Sequence, residues 1–531
     1  MRAPAHPLFL IGCGTTSQDA SAQTLGFKAW NLLQMADMGL PVPPCLVLGT
    51  PWCQDATSRA AAAQPETWRA ALSALERRTG LQLGHRRRPL LLSVRSGAAV
   101  SMPGMMETLL NVGLCDATVP GLLSRTGNPR LVWDAYRRLV ATFGEVVGGL
   151  DPHLFEAQTE ALAGARPTQD LDFTELRTLT QSHLALYREQ LGTPFPQDPE
   201  AQLAQAISAV LRSWDAPKAA SYRAAHGIAD DIGTAVTLQT MVFGNAGGRS
   251  GAGVGFTRNP STGEPGLWVD FLFNAQGEDV VSGRQSAHGH ARLAAILPLA
   301  WQQLCDATAR LEDSLRDMQD FEFTVQDGEL WMLQTRSGKR SPLATARIAL
   351  DMLDEGRITA QEAASRTAHL TEAMLQSTRV VGQAGAPLNP LACGVAASPG
   401  VVIGEIALDE ARVQARQHAG VDLILVRPEA DTSDIATLQQ AGGLLTQRGA
   451  RTSHAAVVAR QLGKACVVGC GDLRIDLATR SVTLGAQRLA EGDVLTLDGH
   501  TGRVYVGAAR TEVEVPHALL ERLQALRSQG A

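Results

Sequence analysis

Apolar residues recur at two different spacings along the first part of the chain. In residues 129–150 and 200–227 they lie three or four positions apart, which predicts amphipathic helices. Elsewhere they alternate with polar residues or form short apolar runs bounded by turns, which is typical of strands. These predicted strands lie in residues 90–97, 233–244 and 321–336. Up to about residue 340, the pattern therefore predicts a mixture of long helices and short strands.

The pattern changes twice in the second part of the chain. Residues 342–376 have helical spacing, and residues 380–400, rich in Gly, Ala and Pro, are predicted to form a linker. From about Gly394 to Gly507, short extended runs and turns surround one predicted helix, and a last helix follows. The predicted fold class is multidomain α/β (α+β). The predicted domains are residues 1–342, a helical segment and linker over 343–393, a β-rich module over 394–510, and a C-terminal helix over 511–531.

Composition and charge argue against several classes of protein. A net charge of −6 and a pI near 6.1 are unlike a nucleic-acid-binding protein, which usually has a basic excess. No apolar run reaches the ~18–20 residues of a membrane span, and Pro and Gly interrupt the short apolar stretch near the N-terminus. None of the eight cysteines forms a CxxC pair, so neither a zinc site nor a disulfide framework is predicted. We therefore expect a cytoplasmic protein with no nucleic-acid or membrane partner.

One histidine lies at the predicted start of a helix. The segment after the predicted strand GLLTQ supplies Thr452 or Ser453 as an N-cap, and the helix AAVVARQL ends at Gly463. His454 therefore falls in the first helical turn. There the helix dipole keeps an imidazole neutral and nucleophilic, and it stabilises a phosphate once attached. A capping-region histidine without chemistry is the alternative, and the local pattern leaves both interpretations open.

Two segments of the N-terminal half are suited to bind anions. Arg95 ends a predicted strand and precedes Ser, Gly and Pro-Gly turns, where a guanidinium can pair with phosphate oxygens. Most such arginines are surface salt-bridge partners, which is the alternative. Residues 243–264 form a glycine-dense predicted loop that could present backbone amides to an anion, although its spacing matches neither the P-loop nor the Rossmann motif.

A predicted hairpin carries two acids and two further polar groups. Asp320 and Glu322 lie two positions apart on one strand, so their carboxylates share a face, as Mg²⁺ ligation requires. Gln334 and Arg336 share a face of the returning strand. A three-residue loop of residues 326–328 with a left-handed Gly328 would bring all four to one face, and we predict this loop. Exposed acids on an edge hairpin are the alternative.

The segments RTSHAAVVAR and GKACVVG resemble the phosphohistidine motif of the phosphoenolpyruvate (PEP)-utilising swivelling domain, in the form found in the pyruvate, phosphate dikinase family. The segments VAASPGVVIGEI and EGDVLTLDGHTGRVYVG resemble the two ends of that domain. The resemblance implies that His454 carries a phosphoryl group, with Thr452 and Ser453 shaping its site. In some members of the family the matching threonine is a regulatory phosphorylation site.

The N-terminal half resembles the ATP-grasp domain of the same family. The segments SVRSGAAVSMPGMMETLLNVGL, SGAGVGFTRNPSTGE, NAQGEDVVSG and MQDFEFTVQDGELWMLQTRSGKR match its signatures in order and spacing. The resemblance implies ATP and Mg²⁺ as cofactors, with Arg336 and Arg95 acting beside His454 in catalysis, and Glu322, Gln334 and Asp320 at the metal. The residues it assigns to nucleotide, phosphate or Mg²⁺ contact are Lys28, Arg95, Glu278, Asp320, Glu322, Gln334 and Arg336.

The sequence departs from the family pattern at two places. The family's GGKGANL reads GFKAWNL here, which keeps Lys28 but alters the turn around it. A loop that commonly carries two acids in the family has Gly248 and Arg249 instead. This second change alters the charge of a loop that we expect over the polyphosphate.

The resemblance implies the first half of a dikinase reaction. His454 would attack the β-phosphate of ATP, AMP would leave, and inorganic phosphate would take the terminal phosphate as pyrophosphate. The family also carries a barrel of ~250 residues that binds pyruvate or PEP. We expect that barrel on a separate partner chain, with the module moving on a linker near residues 378–393. The alternatives are transfer to a different small-molecule acceptor, and a nucleotide-binding regulatory protein without catalysis.

Overall fold

The computed structural model divides the chain into two compact units. The first is Met1–Gly247 with Trp331–Gln334, and the second is Gly248–Leu330 with Thr335–Ala531. The boundary between the units at Gly247 falls inside residues 1–342, which the sequence predicts to be one domain. The predicted domain boundaries stay a proposal. The structure describes residues 6–14, 20–100, 102, 106–164, 166, 168–281, 288–382, 388–416, 420–430, 434–449, 451 and 454–529.

The first unit contains an antiparallel sheet of five strands in the order β1-β2-β5-β3-β4. The predicted strands at 90–97 and 233–244 are confirmed as β3 and β5. The strands are β1 (Leu8–Ile11), β2 (Cys45–Leu48), β3 (Leu92–Ala98), β4 (Thr108–Val112) and β5 (Thr234–Thr240).

Helices surround this sheet and enclose a core that includes Trp68, Tyr136, Phe143 and Trp214. The predicted helix over 200–227 is two helices, because Ala216 precedes Pro217 and takes an extended ψ of 142°. The helices are α1 (Ala22–Asp37), α2 (Ala56–Ala62), α3 (Pro65–Thr79), α4 (Val119–Thr126), α5 (Pro129–Val146), α6 (His153–Ala163), α7 (Phe173–Leu191), α8 (Pro199–Arg212) and α9 (Pro217–His226).

The second unit begins with a five-stranded sheet in the order β10-β9-β6-β7-β8. The strands are β6 (Gly251–Arg258), β7 (Pro265–Phe273), β8 (His288–Gly289), β9 (Gln319–Gln326) and β10 (Glu329–Ser337). The helices between them are α10 (Gly277–Val281), α11 (His290–Ile296) and α12 (Pro298–Leu315).

Eight residues of the predicted glycine loop, Gly251–Arg258, form strand β6. Its glycines at positions 251, 253 and 255 share one face and lie under phenylalanine rings from the neighbouring strands. A Cβ atom on Gly253 would lie 2.4 Å from the ring of Phe323, and a Cβ on Gly251 would lie 2.2 Å from the ring of Phe271. The prediction that this whole segment is an anion-binding loop is therefore wrong, because these glycines make room for aromatic packing.

The β9–β10 hairpin also differs from its prediction. Its turn consists of Asp327 and Gly328 alone, with φ angles of 52° and 88°, as in a type I′ turn. The predicted three-residue loop is wrong. A regular two-residue hairpin would put Arg336 and Asp320 on opposite faces, yet their side chains are in contact at 2.7 Å. Their contact shows that these two side chains lie on the same face of the hairpin.

Three helices and a short strand follow the hairpin, where the sequence predicts a helical segment. They are α13 (Pro342–Asp354), α14 (Ala360–Thr367), α15 (Glu372–Leu375) and β11 (Ser377–Val380).

The β-rich module is built on an eight-stranded sheet in the order β12-β22-β21-β14-β15-β16-β17-β13, with β14 to β17 parallel. The main sheet comprises β12 (Ala392–Cys393), β13 (Val395–Ser398), β14 (Val401–Ala407), β15 (Leu423–Arg427), β16 (Gly443–Thr446), β17 (Ala465–Val468), β21 (Val494–Asp498) and β22 (Arg503–Val506). A smaller sheet comprises β18 (Leu473–Asp476), β19 (Ser481–Leu484) and β20 (Gln487–Ala490).

Two predictions about this module are corrected. Its described residues form three helices where the sequence predicts one, namely α16 (Glu410–Arg416), α17 (Ile435–Gln440) and α18 (His454–Gln461). The predicted linker over 380–400 contributes β12 and β13 to the main sheet. After the module, β23 (Thr511–Glu514) pairs with β11, and the terminal helix α19 (His517–Gln529) packs with α13 and α14.

Candidate functional site

One face of the β6–β10 sheet gathers the acidic residues predicted from the sequence. Asp320 on β9 lies opposite Phe256 on β6, and Phe256 lies opposite Trp268 on β7. Residues directly opposite one another on antiparallel strands share a face. In the adjacent row of the same face lie Glu322 on β9 and Asp270 on β7, both opposite the same residue of β6.

Asp320 is paired with the predicted phosphate-binding arginine. Nε of Arg336 donates a hydrogen bond of 2.7 Å to Oδ2 of Asp320, and Asp320 is buried. Burial raises the pKa of Asp320, while the Arg336 guanidinium opposes that shift. Glu322, two residues further along β9, is half-buried. The structure therefore places two carboxylates and one guanidinium of the predicted site on a single face.

Gln334 and Glu278 are the two other residues that the sequence assigns to the metal or nucleotide in this part of the chain. Gln334 is buried in β10, within the stretch that belongs to the first unit. It stays a predicted metal ligand. Glu278 lies in α10, and the prediction for its side chain falls outside the described residues.

His454 is the first residue of α18, as predicted. The helix follows β16 and precedes β17, and Gly463, with a φ of 64°, comes just after it. The predicted strand–helix–strand order and the helix stop are therefore confirmed. The predicted N-cap residues Thr452 and Ser453 lie outside the described residues. Its position at an N-terminus suits His454 to hold a phosphoryl group, because anions are stabilised there.

Two arginines that bracket His454 contact the acidic face. Nε of Arg451 lies 2.9 Å from Oδ1 of Asp270, and its guanidinium lies 4.6 Å from the centre of the Trp268 ring. The guanidinium of Arg460 lies 5.5 Å from the rings of Phe256 and Trp268. The segment that carries His454 is thus seated on the same face as Asp320 and Glu322. Sequence reasoning missed both arginines, although RTSHAAVVAR displays them.

Arg460 also ties the start of α18 to the rest of the module. Only 4% of the residue is exposed, and Nη2 donates to the carbonyl oxygens of Ala397 and Arg451. Burial lowers the pKa of Arg460 to about 10, although Asp320 and Asp270 act in the opposite direction. Arg460 is therefore a buried cation at neutral pH, within electrostatic range of the acidic face.

The first unit brings together Arg95 and Lys28. Nη1 of Arg95 on β3 donates to Oε1 of Gln239 on β5 at 3.3 Å, and Thr237 lies directly opposite Arg95. Gly97 shares the face of Arg95, and the Cβ of Lys28 lies 3.7 Å from the position that a Cβ on Gly97 would take. Two predicted phosphate-binding cations therefore lie on one side of this sheet. Sequence reasoning missed Gln239 and Thr237, which become informative only through strand pairing.

The loop with altered charge lies away from the acidic pair. The N–H of Gly328 donates to the carbonyl of Arg249 at 2.9 Å, so Arg249 lies at the hairpin turn. Val325 pairs with β6 at the turn end of β9, whereas Asp320 pairs with β6 five residues further along, about 17 Å away. The charge change at Arg249 is therefore separated along the strand from Asp320.

Asp320 and Glu322 are two carboxylates on one sheet face that could bind a magnesium ion. Among the described residues there is no group of three or more His, Cys, Asp or Glu that could hold a metal. Mg²⁺ is usually bound by one or two carboxylates together with phosphate and water oxygens. Asp320 and Glu322 fit that pattern, with a substrate phosphate completing the shell. No helix in the described ranges is long and apolar enough to cross a membrane.

Two protein-family models match parts of this chain. The sequence model described as "Pyruvate phosphate dikinase, AMP/ATP-binding domain" matches residues 58–293 and 290–357, which together are more than half of the 531 residues. The chain belongs to the pyruvate phosphate dikinase family. A second model, "PEP-utilising enzyme, mobile domain", matches residues 421–502. Within this family assignment, His454, Arg451 and Arg460 fall in the mobile-domain match, whereas Asp320 and Arg336 fall in the AMP/ATP-binding match.

Three relatives illustrate the similarity. The pyruvate, phosphate dikinase of Clostridium symbiosum is 41% identical over 516 residues, which is 94% of this chain and 58% of that protein. Pyruvate, phosphate dikinase 2 of Zea mays is 42% identical over 493 residues, 91% of this chain and 56% of that protein. The Rhizobium meliloti enzyme is 42% identical over 522 residues, 94% and 58% of the respective lengths. The chain therefore spans a little more than half the length of these relatives.

Proposed function

We propose that this chain transfers a phosphoryl group from ATP to His454, as the first half of a dikinase reaction. The observation that carries the proposal is the seating of the segment around His454 on the sheet face of Asp320, Glu322 and Arg336. A histidine at a helix N-terminus, in a segment that lies on a sheet face with carboxylates and a guanidinium, suits the transfer of an anionic group.

The proposed reaction has two steps. An imidazole nitrogen of His454 forms a bond to the β-phosphorus of ATP, and the bond from that phosphorus to the oxygen bridging the α-phosphorus breaks. AMP leaves with that oxygen. Inorganic phosphate then takes the terminal phosphoryl group, which forms pyrophosphate and leaves one phosphoryl group on His454.

Charge on the transferring group is the main obstacle to this chemistry, and the chain offers cations to offset it. Arg336, Arg95 and Lys28 would bind the phosphate oxygens, because guanidinium and ammonium groups pair well with them. Asp320 and Glu322 would hold Mg²⁺, which supplies further positive charge to the phosphates. Gln334 is proposed as a metal ligand on the family likeness alone. Glu278 is proposed as a nucleotide contact on the family likeness alone.

The acceptor of the phosphoryl group is a separate part of the proposal. The relatives are named for pyruvate and phosphate, so we take pyruvate as the acceptor and a PEP- or pyruvate-binding barrel as the partner that presents it. The cytoplasmic location expected from composition belongs to the same proposal.

The direct test uses ATP labelled separately at the β and γ positions, with Mg²⁺ and with or without phosphate. The β label should appear on the wild-type protein in an acid-labile, base-stable form, and AMP should be released. His454→Ala should abolish both, whereas His500→Ala, an exposed histidine of the same module bonded to the N–H of Gly400, should change neither. ATP binding without label or AMP would refute the proposed transfer.

A further inference from the structure

We infer that Arg451 is a positioning residue that anchors the loop before His454 to strand β7 through Asp270 and Trp268. The inference rests on the proposed function, because the loop needs an anchor only if His454 must reach a nucleotide. Arg451 precedes His454 by three residues, so its anchoring limits where the helix start can lie.

The ion pair with Asp270 is unlike an ordinary surface pair. Asp270 is 2% exposed and the side chain of Arg451 is 25% exposed, at an N–O distance of 2.9 Å. Exposed pairs contribute little, whereas an ion pair that is largely removed from water is sensitive to the loss of either partner. Loss of Arg451 would leave the carboxylate of Asp270 without this cation.

The ring of Trp268 is a second contact of the Arg451 guanidinium, beside the carboxylate of Asp270. The guanidinium of Arg451 lies 4.6 Å from the centre of the indole ring, within the range of a favourable cation–π interaction. A planar guanidinium can stack on a ring and meet a carboxylate at its edge at once, which an ammonium cannot do. The two contacts together hold the guanidinium of Arg451 close to β7.

Both ends of the anchor are held in place. The carbonyl oxygen of Arg451 accepts a hydrogen bond of 3.1 Å from Arg460, so the main chain at Arg451 is tied to α18. Asp270 lies inside β7, with β6 on one side and β8 on the other. Movement of the arginine side chain would therefore carry the start of α18 with it. Displacement of a reacting group by about 1 Å can lower a rate by roughly 100-fold.

The test compares two arginines of the same loop. Arg451→Met removes the guanidinium and its charge and keeps an unbranched apolar side chain. Arg448→Met is the matched control, because Arg448 is exposed and its ion partner at 3.6 Å is Glu429, on the module itself. We expect Arg451→Met to lower the single-turnover rate of His454 phosphorylation by about 10- to 100-fold, with the KM for ATP within about two-fold of wild type. Arg448→Met should match wild type.

Two further measurements separate positioning from folding. Arg451→Lys keeps the charge but not the planar stacking, and it should give an intermediate rate at an unchanged melting temperature. In a double-mutant cycle with Asp270→Asn, the double variant should be no slower than Arg451→Met alone, because both changes break one anchor. Wild-type activity with equal rates for Arg451→Met, Arg451→Lys and Arg448→Met would overturn the inference. Absence of phosphohistidine in the wild type would instead refute the proposed function.

Discussion

Nε of Arg336 lies 2.7 Å from Oδ2 of Asp320, on a sheet face that also meets the segment around His454. In the proposed reaction, each of these two groups supports the other until the substrates bind. Arg336 neutralises a buried carboxylate until a phosphate arrives, and Asp320 keeps the guanidinium oriented towards the face. Binding of Mg²⁺ and a nucleotide would supply new partners for both groups.

The pH dependence of phosphorylation should report on this pair. Asp320 must be ionised to hold a metal, so the rate should fall as the pH drops through its raised pKa. Arg336→Met removes the cation that opposes the rise, so the pKa of Asp320 increases further and the acidic fall in rate moves to higher pH. The measurement is the phosphohistidine yield against pH, normalised for each variant. Arg340→Met, which breaks a pair with Asp317 instead, should leave the midpoint in place, and an unmoved midpoint in Arg336→Met would contradict the assignment.

We predict that the glycines of β6 are needed for phenylalanine rings of the neighbouring strands to pack against this strand. Gly253→Ala would place a Cβ 2.4 Å from the Phe323 ring, so the ring or the strand has to shift. We expect a loss of about 1–3 kcal/mol in the free energy of unfolding, measured by urea denaturation. Gly248→Ala is the control, since no atom lies within 4 Å of its added Cβ. Equal stability of the two variants would show that the glycines serve another purpose.

Gly26 should control the position of Lys28. Gly26 interrupts α1 with a φ of 71°, and a Cβ there would lie 1.9 Å from the carbonyl oxygen of Gly97. Gly26→Ala must therefore move α1 away from β3 and displace Lys28 with it. We expect the KM for ATP to rise by about 10-fold, the loss of one charge-assisted hydrogen bond. Gly80→Ala shares the positive φ but meets no atom, so an equal KM in both variants would contradict this role.

Acid should destabilise the first unit through His183. Burial lowers the pKa of His183 from 6.5 to about 4. The unfolded chain binds the proton first as the pH falls, so the stabilising contribution is complete above pH 6.5 and is lost between pH 6.5 and 4. The lost free energy of unfolding should be about 3 kcal/mol. Urea denaturation at several pH values should show a shallower dependence in His183→Gln, and the exposed His153→Gln should keep the wild-type slope.

Local pattern was enough to predict the surroundings of His454. The strands β16 and β17, the helix α18 and its stop at Gly463 follow from short-range periodicity and a glycine stop signal, and the structure has all of them. Asp320 and Glu322 also share a face because their spacing of two residues fixes it in any strand.

Contacts between distant segments could not be predicted in the same way. The ion pair of Arg451 with Asp270 joins residues far apart in sequence, and nothing local to either residue indicates the other. The glycines of β6 were interpreted as a loop because their phenylalanine partners lie on other strands. The two-residue turn at Asp327 and Gly328 was missed because the three-residue loop was chosen to bring four polar side chains to one face, although Asp-Gly favours a type I′ turn.

The most direct test of the account is to locate the phosphoryl group on the protein. Wild-type protein is mixed with Mg²⁺ and β-labelled ATP, quenched in base, digested, and the labelled peptide is sequenced by mass spectrometry. We expect a single labelled site at His454, formed together with AMP and absent from His454→Ala. Label at another residue, or label that persists in His454→Ala, would contradict it.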